Sequence, residues 1–417
     1  IYAQINPLNY ENCKKELCVL MGNIYQRAMD FPYVDDKGMK TNKFVNLDME
    51  EYKDTELTMD VFKTVLSEPR FKNLNAGIVI QAYLPDARKL QDELLDFAKK
   101  RFADGGSPLK MRLVKGANLA MESIQSSLRG WENPIYDDKI KVDANFLKVL
   151  DVALLPENVK AVHVGVASHN FFTIGYAYLL SQKLGVEEYV TFEMLEGMAN
   201  HLPRVMRKLD KQIILYTPVV NDENFLNAVS YLVRRMDENT GKDNFLTYSF
   251  NLKEGSEEWN FLKNQFEEAM AIKDTVSTEP KRKQNRQLPQ PPFNNINEYK
   301  SEPDTDFDLK PNRLWADEIR KKWMKSEKDT PYQIPAQVGE KQHTTENKKQ
   351  YFDRSQDSKV LVCEVSTVSL ERMKEVIEIA EADKSNWRKT ALAERNVLLH
   401  KTAEILANKR GDLIGVM

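Results

Sequence analysis

LKMRLVKG, residues 109 to 116, is the stretch on which the fold turns. It is a short β-type run that carries its chemical residues, Arg112 and Lys115, at the C-terminal end, and a longer segment of helical periodicity follows it. Between residues 42 and 238 the same unit recurs: KFVNLD (43 to 48), AGIVIQAY (76 to 83), AVHVGVASH (161 to 169), EYVTFEML (188 to 195) and QIILYTPV (212 to 219) are the other strand candidates. Repeated βα units imply a parallel sheet, because parallel neighbours need a crossover. Five of the six candidates end on polar groups: Asp48; Gln81 and Tyr83; Arg112 and Lys115; Ser168 and His169; Tyr216. An open doubly wound sheet gathers its ligand at one switch point, whereas a barrel builds its site from strand end after strand end. The expected fold is therefore α/β, most of a (β/α)8 barrel whose first strands lie outside these residues.

Composition bounds the function. Sixty Lys and Arg against 63 Asp and Glu give no reason to expect nucleic acid or an anionic membrane as a general partner. No apolar run approaches the roughly 18 to 20 residues of a membrane span. The three cysteines, Cys13, Cys18 and Cys363, make neither a CxxC site nor a disulfide framework, which suits a reducing, cytoplasmic setting. The first residues form no signal or transit peptide, and the last, LANKRGDLIGVM, stop in mid helix, so the chain reads as a piece of a longer polypeptide.

Three regions are expected: residues 1 to 273 as the barrel, 274 to 330 as linker and connecting helix, and 331 to 417 as the start of a further domain. The linker rests on RQLPQPPFNN and SEPDTDFDLKPN, which are Pro-rich and polar, and its helix on RLWADEIRKKWMKSEK, residues 313 to 328. The last region reads as one strand followed by two amphipathic helices, with Leu398, Leu399, Ala403 and Leu406 on one face of the second.

Three motifs carry candidate chemistry. In RLVKGAN, residues 112 to 118, small residues let backbone N–H groups approach a ligand, and two cations can face a phosphate or a reduced flavin; the same residues also read as two solvated cations before a turn. SHN, residues 168 to 170, places a lone His at a strand end, with no second His at ligand spacing to make a metal site. In YLVRRMDEN, residues 231 to 239, Arg234 and Arg235 are either solvated or a clamp of two planar forks for a small carboxylate. Phe225, Leu226, Val229 and Val233 are expected on the buried face of that helix. GxGxxG, GxSxG, HExxH and P-loop motifs do not occur.

In order, NLDMEEY, IVIQAYLPDA, RLVKGAN, VASHN, FEMLEGM, YTPV and YLVRRMDEN resemble the proline dehydrogenase barrel. QNR, EPDTDFDL, NRLW and NWRKTALAERNVLLHKTAEILANKR look like the connector and first helices of an aldehyde dehydrogenase, the pairing found in the bifunctional proline utilization A family. The resemblance implies FAD at the barrel mouth, with Arg112 by the reactive edge of the flavin and Val114, Lys115, Gly116 and Ala117 along it. It implies further cofactor contacts from Gln81, Ser168, His169 and Glu238. Substrate L-proline would meet Arg234 and Arg235 through its carboxylate and Tyr216 and Leu195 along its ring, with Asp48 orienting the basic groups.

The same resemblance implies NAD for a second domain, a quinone as electron acceptor with transient membrane contact, and a homo-oligomer. Asn118 and Leu119 stand where one branch of the family has an aromatic pair, so contacts made by that pair do not transfer. Residues 331 to 417 reach neither the nucleophilic Cys nor the general base of an aldehyde dehydrogenase, and Cys363 reads as structural. Two other readings are a barrel enzyme for a phosphorylated substrate and a scaffold without catalysis; the retained cations weigh against the second, since buried charge without an anion is costly.

Overall fold

The computed structural model describes residues 5 to 34, 36, 38 to 240, 244 to 249, 252 to 290, 301 to 355 and 360 to 417. It divides into two compact units, Ile1–Lys283 with Glu302–Asp308, and Gln284–Ser301 with Leu309–Met417.

Among the described residues, the main sheet of the first unit holds six strands: β1 (Val45–Leu47), β2 (Ala76–Gln81), β3 (Leu109–Val114), β4 (Val162–Ala167), β5 (Val190–Leu195) and β6 (Ile213–Tyr216). They lie in one sheet in sequence order, every neighbouring pair parallel. The order never reverses, so there is no switch point, and the arrangement is that of a (β/α)8 barrel rather than an open doubly wound sheet. Each strand is two to four residues shorter than its candidate run.

The period of two decides what each strand shows to either side. Ile78, Ile80, Met111, Leu113, Val164, Val166, Phe192 and Met194 are buried against Leu57, Phe62, Leu94, Phe146 and Leu150 from the crossover helices. The alternate residues, among them Gln81, Lys110, Arg112, Gly165 and Glu193, face inward. Crossovers are α2 (Thr55–Leu66), α3 (Ala87–Ala103), α4 (Leu119–Arg129) with α5 (Lys139–Ala153), α6 (Phe171–Leu184) and α7 (His201–Lys208), preceded by α1 (Tyr10–Asp30). After β6 comes α8 (Phe225–Thr240), and α9 (Glu257–Ile272) closes this part of the chain.

One expectation for α8 fails. Phe225, Leu226, Val229 and Val233 are exposed, and among the helix's described side chains only Ala228 is buried. Periodicity tells which residues share a face; burial also needs an element to cover that face, and β6 has no further strand beside it among the described residues.

Within the Pro-rich region, residues 302 to 308 pack on the first unit. Arg282 lies between the rings of Tyr52 and Trp131, 4.9 and 4.2 Å from their centroids, and pairs with Asp306 and Asp308 at 2.6 and 3.0 Å. Near this latch, Asp54 precedes α2 without making a side-chain cap bond. Burial pushes its carboxyl up to about 6, Lys53 opposing and Glu51 and Asp308 adding. A raised carboxyl costs stability as pH climbs from its unfolded value, about 3.9, to about 6, and the cost is full above that. Asp54→Asn is expected to add about 1 kcal/mol at pH 7, allowing for partial exposure. Urea melts should show the gain disappear at pH 4; an equal gain at both pH values would assign it to something other than ionisation.

The second unit contains α10 (Lys310–Trp323), β7 (Tyr332–Ile334), a hairpin of β8 (Ala336–Val338) and β9 (Lys341–His343), then β10 (Lys348–Asp353) and β11 (Val360–Ser366). β11 lies between β10, antiparallel, and β7, parallel. Helices α11 (Leu370–Ala382), α12 (Leu392–Asn408) and α13 (Arg410–Val416) follow. The region therefore holds five strands, where the sequence shows only β11 clearly, and Leu398, Leu399 and Leu406 on α12 are exposed. No helix among the described residues is long and apolar enough to cross a membrane.

Candidate active site

A cavity of about 710 Å³ opens at the C-terminal ends of β2 to β5. Asp48, Gln81, Arg112, Val114 and Lys115 line one part of it, and Gly116, Ala117, Ser168, His169, Leu195 and Arg235 another. Residues up to 187 positions apart in sequence, Asp48 and Arg235, therefore meet at the end of the sheet where all the parallel strands finish. Tyr216 lies beneath this lining, its ring 4.2 Å from the Arg112 guanidinium carbon. The side chains of Arg234 and Glu238 lie outside the described residues.

Arg112 stands at the centre of the charge pattern. Its Nη1 donates to both oxygens of Asp48 at 3.0 Å, and its Nε lies 3.1 Å from Glu193 Oε2. Burial works against its charge, but Asp48, Tyr216 and Glu193 outweigh that and raise its pKa above the ordinary value. Lys115 pairs with Asp143 on α5 at 2.6 Å, and Asp143 also takes Lys139 at 2.7 Å. Burial alone would raise the Asp143 carboxyl; the two lysines hold it below its usual value.

Two backbone features shape the wall. Gly116 has φ +126°, and a Cβ there would lie 2.6 Å from ring carbons of Tyr83, which is itself buried. Only glycine fits against the Tyr83 ring at this φ, so the 115 to 117 backbone is held close to Tyr83 in the cavity wall. On β4, Asn170 caps α6 by accepting from the Phe172 and Thr173 amides, and Ser168 Oγ accepts from the Asn170 amide, which fixes the Ser168–His169 corner. His169 Nε2 accepts from the Leu195 amide at 3.0 Å, and burial, with Arg235 nearby, lowers its pKa. His169 is thus a neutral imidazole whose proton sits on Nδ1.

Arg235 projects from α8 with its guanidinium carbon 4.7 Å from the Tyr231 ring centroid. A planar, always charged fork on the cavity wall suits a carboxylate. Gln81 donates Nε2 to the Met49 carbonyl at 3.0 Å, while its buried Oε1 has no partner among the described residues. A buried acceptor left open toward a cavity is suited to a ligand donor.

The sequence reading missed Glu193, Lys110 and Asp143. Glu193 had a usable signal: it is the charged residue of the apolar run VTFEML, and a lone buried acid in a strand asks for a partner. Asp143 had none, since an acid on an amphipathic helix is ordinarily solvated.

A charged cavity above the strand ends of a sequentially ordered parallel sheet defines a barrel enzyme of the kind that holds its ligand at the C-terminal mouth. The proline dehydrogenase family profile matches residues 21–248, and that of the aldehyde dehydrogenase family matches residues 343–417. The chain belongs to the proline dehydrogenase family. It is 30% identical over 235 residues, 53% of this chain, to the bifunctional protein PutA of Klebsiella aerogenes, and it spans 17% of that protein's length. The structure of proline utilization A from Corynebacterium freiburgense is 36% identical with a TM-score of 0.64, covering 80% of this chain and 30% of its own. Proline utilization A from Bdellovibrio bacteriovorus, inactivated by N-propargylglycine, is 28% identical with a TM-score of 0.80 over 99% of this chain and 39% of its own.

Proposed function

We propose that the first unit oxidises L-proline to 1-pyrroline-5-carboxylate with FAD held at the barrel mouth. The observation that carries the reading is the meeting of Arg235, Arg112 and Gly116 around one cavity, in a chain of the proline dehydrogenase family. The residues present fit such a cofactor: Gln81 Oε1 offers a buried, open acceptor on the cavity wall, and Arg112 and Lys115 supply positive charge there. Gln81, Arg112, Val114, Lys115, Gly116, Ala117, Ser168, His169 and Glu238 would hold it. A bound flavin supplies the two-electron acceptor.

The protein's part is binding and orientation. Arg235, with Arg234 beside it in sequence, binds the substrate carboxylate; Leu195 on the cavity wall and Tyr216 next to Arg112 would pack along the ring. Two fixed points on a five-membered ring set which carbon faces the acceptor. When hydride leaves the carbon next to nitrogen, the nitrogen lone pair becomes the second C–N bond, so the amine must be neutral first. Cationic walls at Arg112 and Arg235 disfavour the ammonium form. His169 is not placed to take that proton, because its unprotonated nitrogen is already engaged by the Leu195 amide.

NAD-dependent oxidation of glutamate semialdehyde belongs, on this reading, to the whole protein rather than to these residues. Cys363 is the cysteine of the stretch that matches the aldehyde dehydrogenase family, and its thiol is raised by burial, the wrong direction for a nucleophile. A quinone acceptor, transient contact with a membrane and homo-oligomeric assembly are part of the same proposal and come from the family resemblance.

The test is an anaerobic visible spectrum of the protein supplied with FAD, before and after L-proline. Flavin bands that bleach are the expected result. Bands that persist would reject proline as the donor, and a protein that retains no flavin would reject the cofactor.

A further inference from the structure

A charged cluster on the inner face of the sheet forms part of the cavity wall, with Arg112 and Glu193 both in its lining. Its centre is Glu193 on β5, whose side chain is 0% exposed. Oε1 lies 2.5 Å from Lys110 Nζ and accepts from Thr191 Oγ1 at 3.4 Å. Oε2 accepts from the Tyr216 hydroxyl at 2.7 Å and lies 3.1 Å from Arg112 Nε. One carboxylate thereby touches side chains from β3, β5 and β6.

That reach depends on a gap in β4. Gly165 pairs with Arg112 on one side and Thr191 on the other, so it separates β3 from β5 at this level. A Cβ on Gly165 would run into the Glu193 carboxylate and come within 2.9 Å of Lys110 Cε. Glycine here leaves the space through which Glu193 crosses to β3.

If the carboxylate only balanced charge, Lys110 would satisfy it. Instead its other oxygen faces Arg112, which lines the ligand cavity, and Tyr216, whose ring lies against Arg112. Arg112 is held at Nη1 by hydrogen bonds to Asp48 and across its plane by the Tyr216 ring, and its Nε faces the Glu193 charge at 3.1 Å without hydrogen-bond geometry. Of the two acids, Asp48 is 56% exposed and Glu193 is enclosed, so Glu193 is the rigid member of the pair.

We propose that Glu193 is a positioning residue for the oxidation: its buried carboxylate, admitted by Gly165, sets the plane of the Arg112 guanidinium and the direction of the Tyr216 phenol. Glu193 touches neither substrate nor cofactor in this scheme and acts through those two side chains. The inference rests on the proline-oxidising reading given above.

The experiment uses the FAD-loaded protein and compares Glu193→Gln, the double variant Glu193→Gln with Lys110→Met, and Gly165→Ala. Glu193→Gln alone leaves Lys110 buried without its counter-charge and can fail to fold; the double variant restores the balance and keeps the test informative. With L-proline, the double variant is expected to lose about 10- to 100-fold in kcat, with KM little changed, because a small misplacement of an orienting group acts on the reacting geometry. Gly165→Ala should show the same split. A second readout needs no turnover: the groups facing the Tyr216 hydroxyl and ring are Glu193, Arg112 and Asp48, and loss of the Glu193 charge should let this phenol ionise at lower pH. Ultraviolet tyrosinate absorbance should record that shift in the double variant and lose it when Tyr216→Phe is added. Wild-type kcat in the double variant would overturn the proposal, reducing Glu193 to a counter-charge for Lys110. An unshifted tyrosine titration would overturn the contact itself. A wild type whose flavin L-proline does not bleach would instead overturn the functional reading.

Discussion

Arg235→Met is expected to raise the L-proline concentration for half-maximal rate by about one to two powers of ten while leaving the flavin content near that of the wild type. The magnitude follows from the chemistry of the clamp. A charge-assisted hydrogen bond is worth about 1.5 to 3 kcal/mol, and each 1.4 kcal/mol is about tenfold in affinity. Methionine keeps apolar bulk over the Tyr231 ring, where the Arg235 guanidinium carbon now stands 4.7 Å from the centroid, so the helix loses a charge and little packing. Flavin should stay because its proposed contacts come from other strand ends, Gln81 on β2 and Arg112 to Ala117 after β3. Arg235→Lys should fall between the two, retaining charge without the planar fork. Initial rates of flavin reduction against L-proline concentration decide it: an unchanged dependence would remove Arg235 from carboxylate binding.

This prediction draws on a residue visible in the sequence, and the reason it was visible also explains what was not. Strands buried on both faces of a parallel sheet are continuous apolar runs, so all six stood out. Their polar terminal residues stood out as well, and the structure gathers Asp48, Arg112, Lys115 and His169 at one cavity. The interior layer was hidden because it consists of relations between strands. Lys110, Gly165 and Glu193 are individually unremarked, and only the register that sets Gly165 between Arg112 and Thr191 makes them one device. β9 and the start of β10 were hidden for another reason: KQHTTENKKQ is polar at nearly every position, and strands exposed on both faces lose the alternation by which strands are recognised. The apolar stripe of α8 was read correctly as a stripe and wrongly as buried, since nothing in a single helix states what lies against it.

Gly116→Ala is expected to destabilise the first unit by about 2 to 6 kcal/mol and to strip the protein of flavin. Two separable costs add. A non-glycine residue held at positive φ costs about 1 to 3 kcal/mol, and Gly116 sits at +126°. Forcing a methyl into a filled core costs a further 1 to 3 kcal/mol or so, and the new Cβ would lie 2.6 Å from the Tyr83 ring. The ring has little freedom to yield. Tyr83 is 1% exposed, its amide donates to the Lys115 carbonyl at 2.7 Å, and its carbonyl accepts from the Tyr136 amide at 2.9 Å. Asn145 fixes the same turn by donating to the Ala82 and Leu84 carbonyls. Relief must therefore come from the 115 to 117 backbone, which would move into the cavity where the cofactor is proposed to lie. Against a total stability of about 5 to 15 kcal/mol, such a loss is large enough to read in urea melts. Adding Tyr83→Leu should recover the steric part and leave the backbone part, so the double variant should melt between Gly116→Ala and the wild type. Gly116→Ala with wild-type stability and full flavin content would show that this glycine is dispensable and that the ligand does not need the 115 to 117 backbone held close to Tyr83.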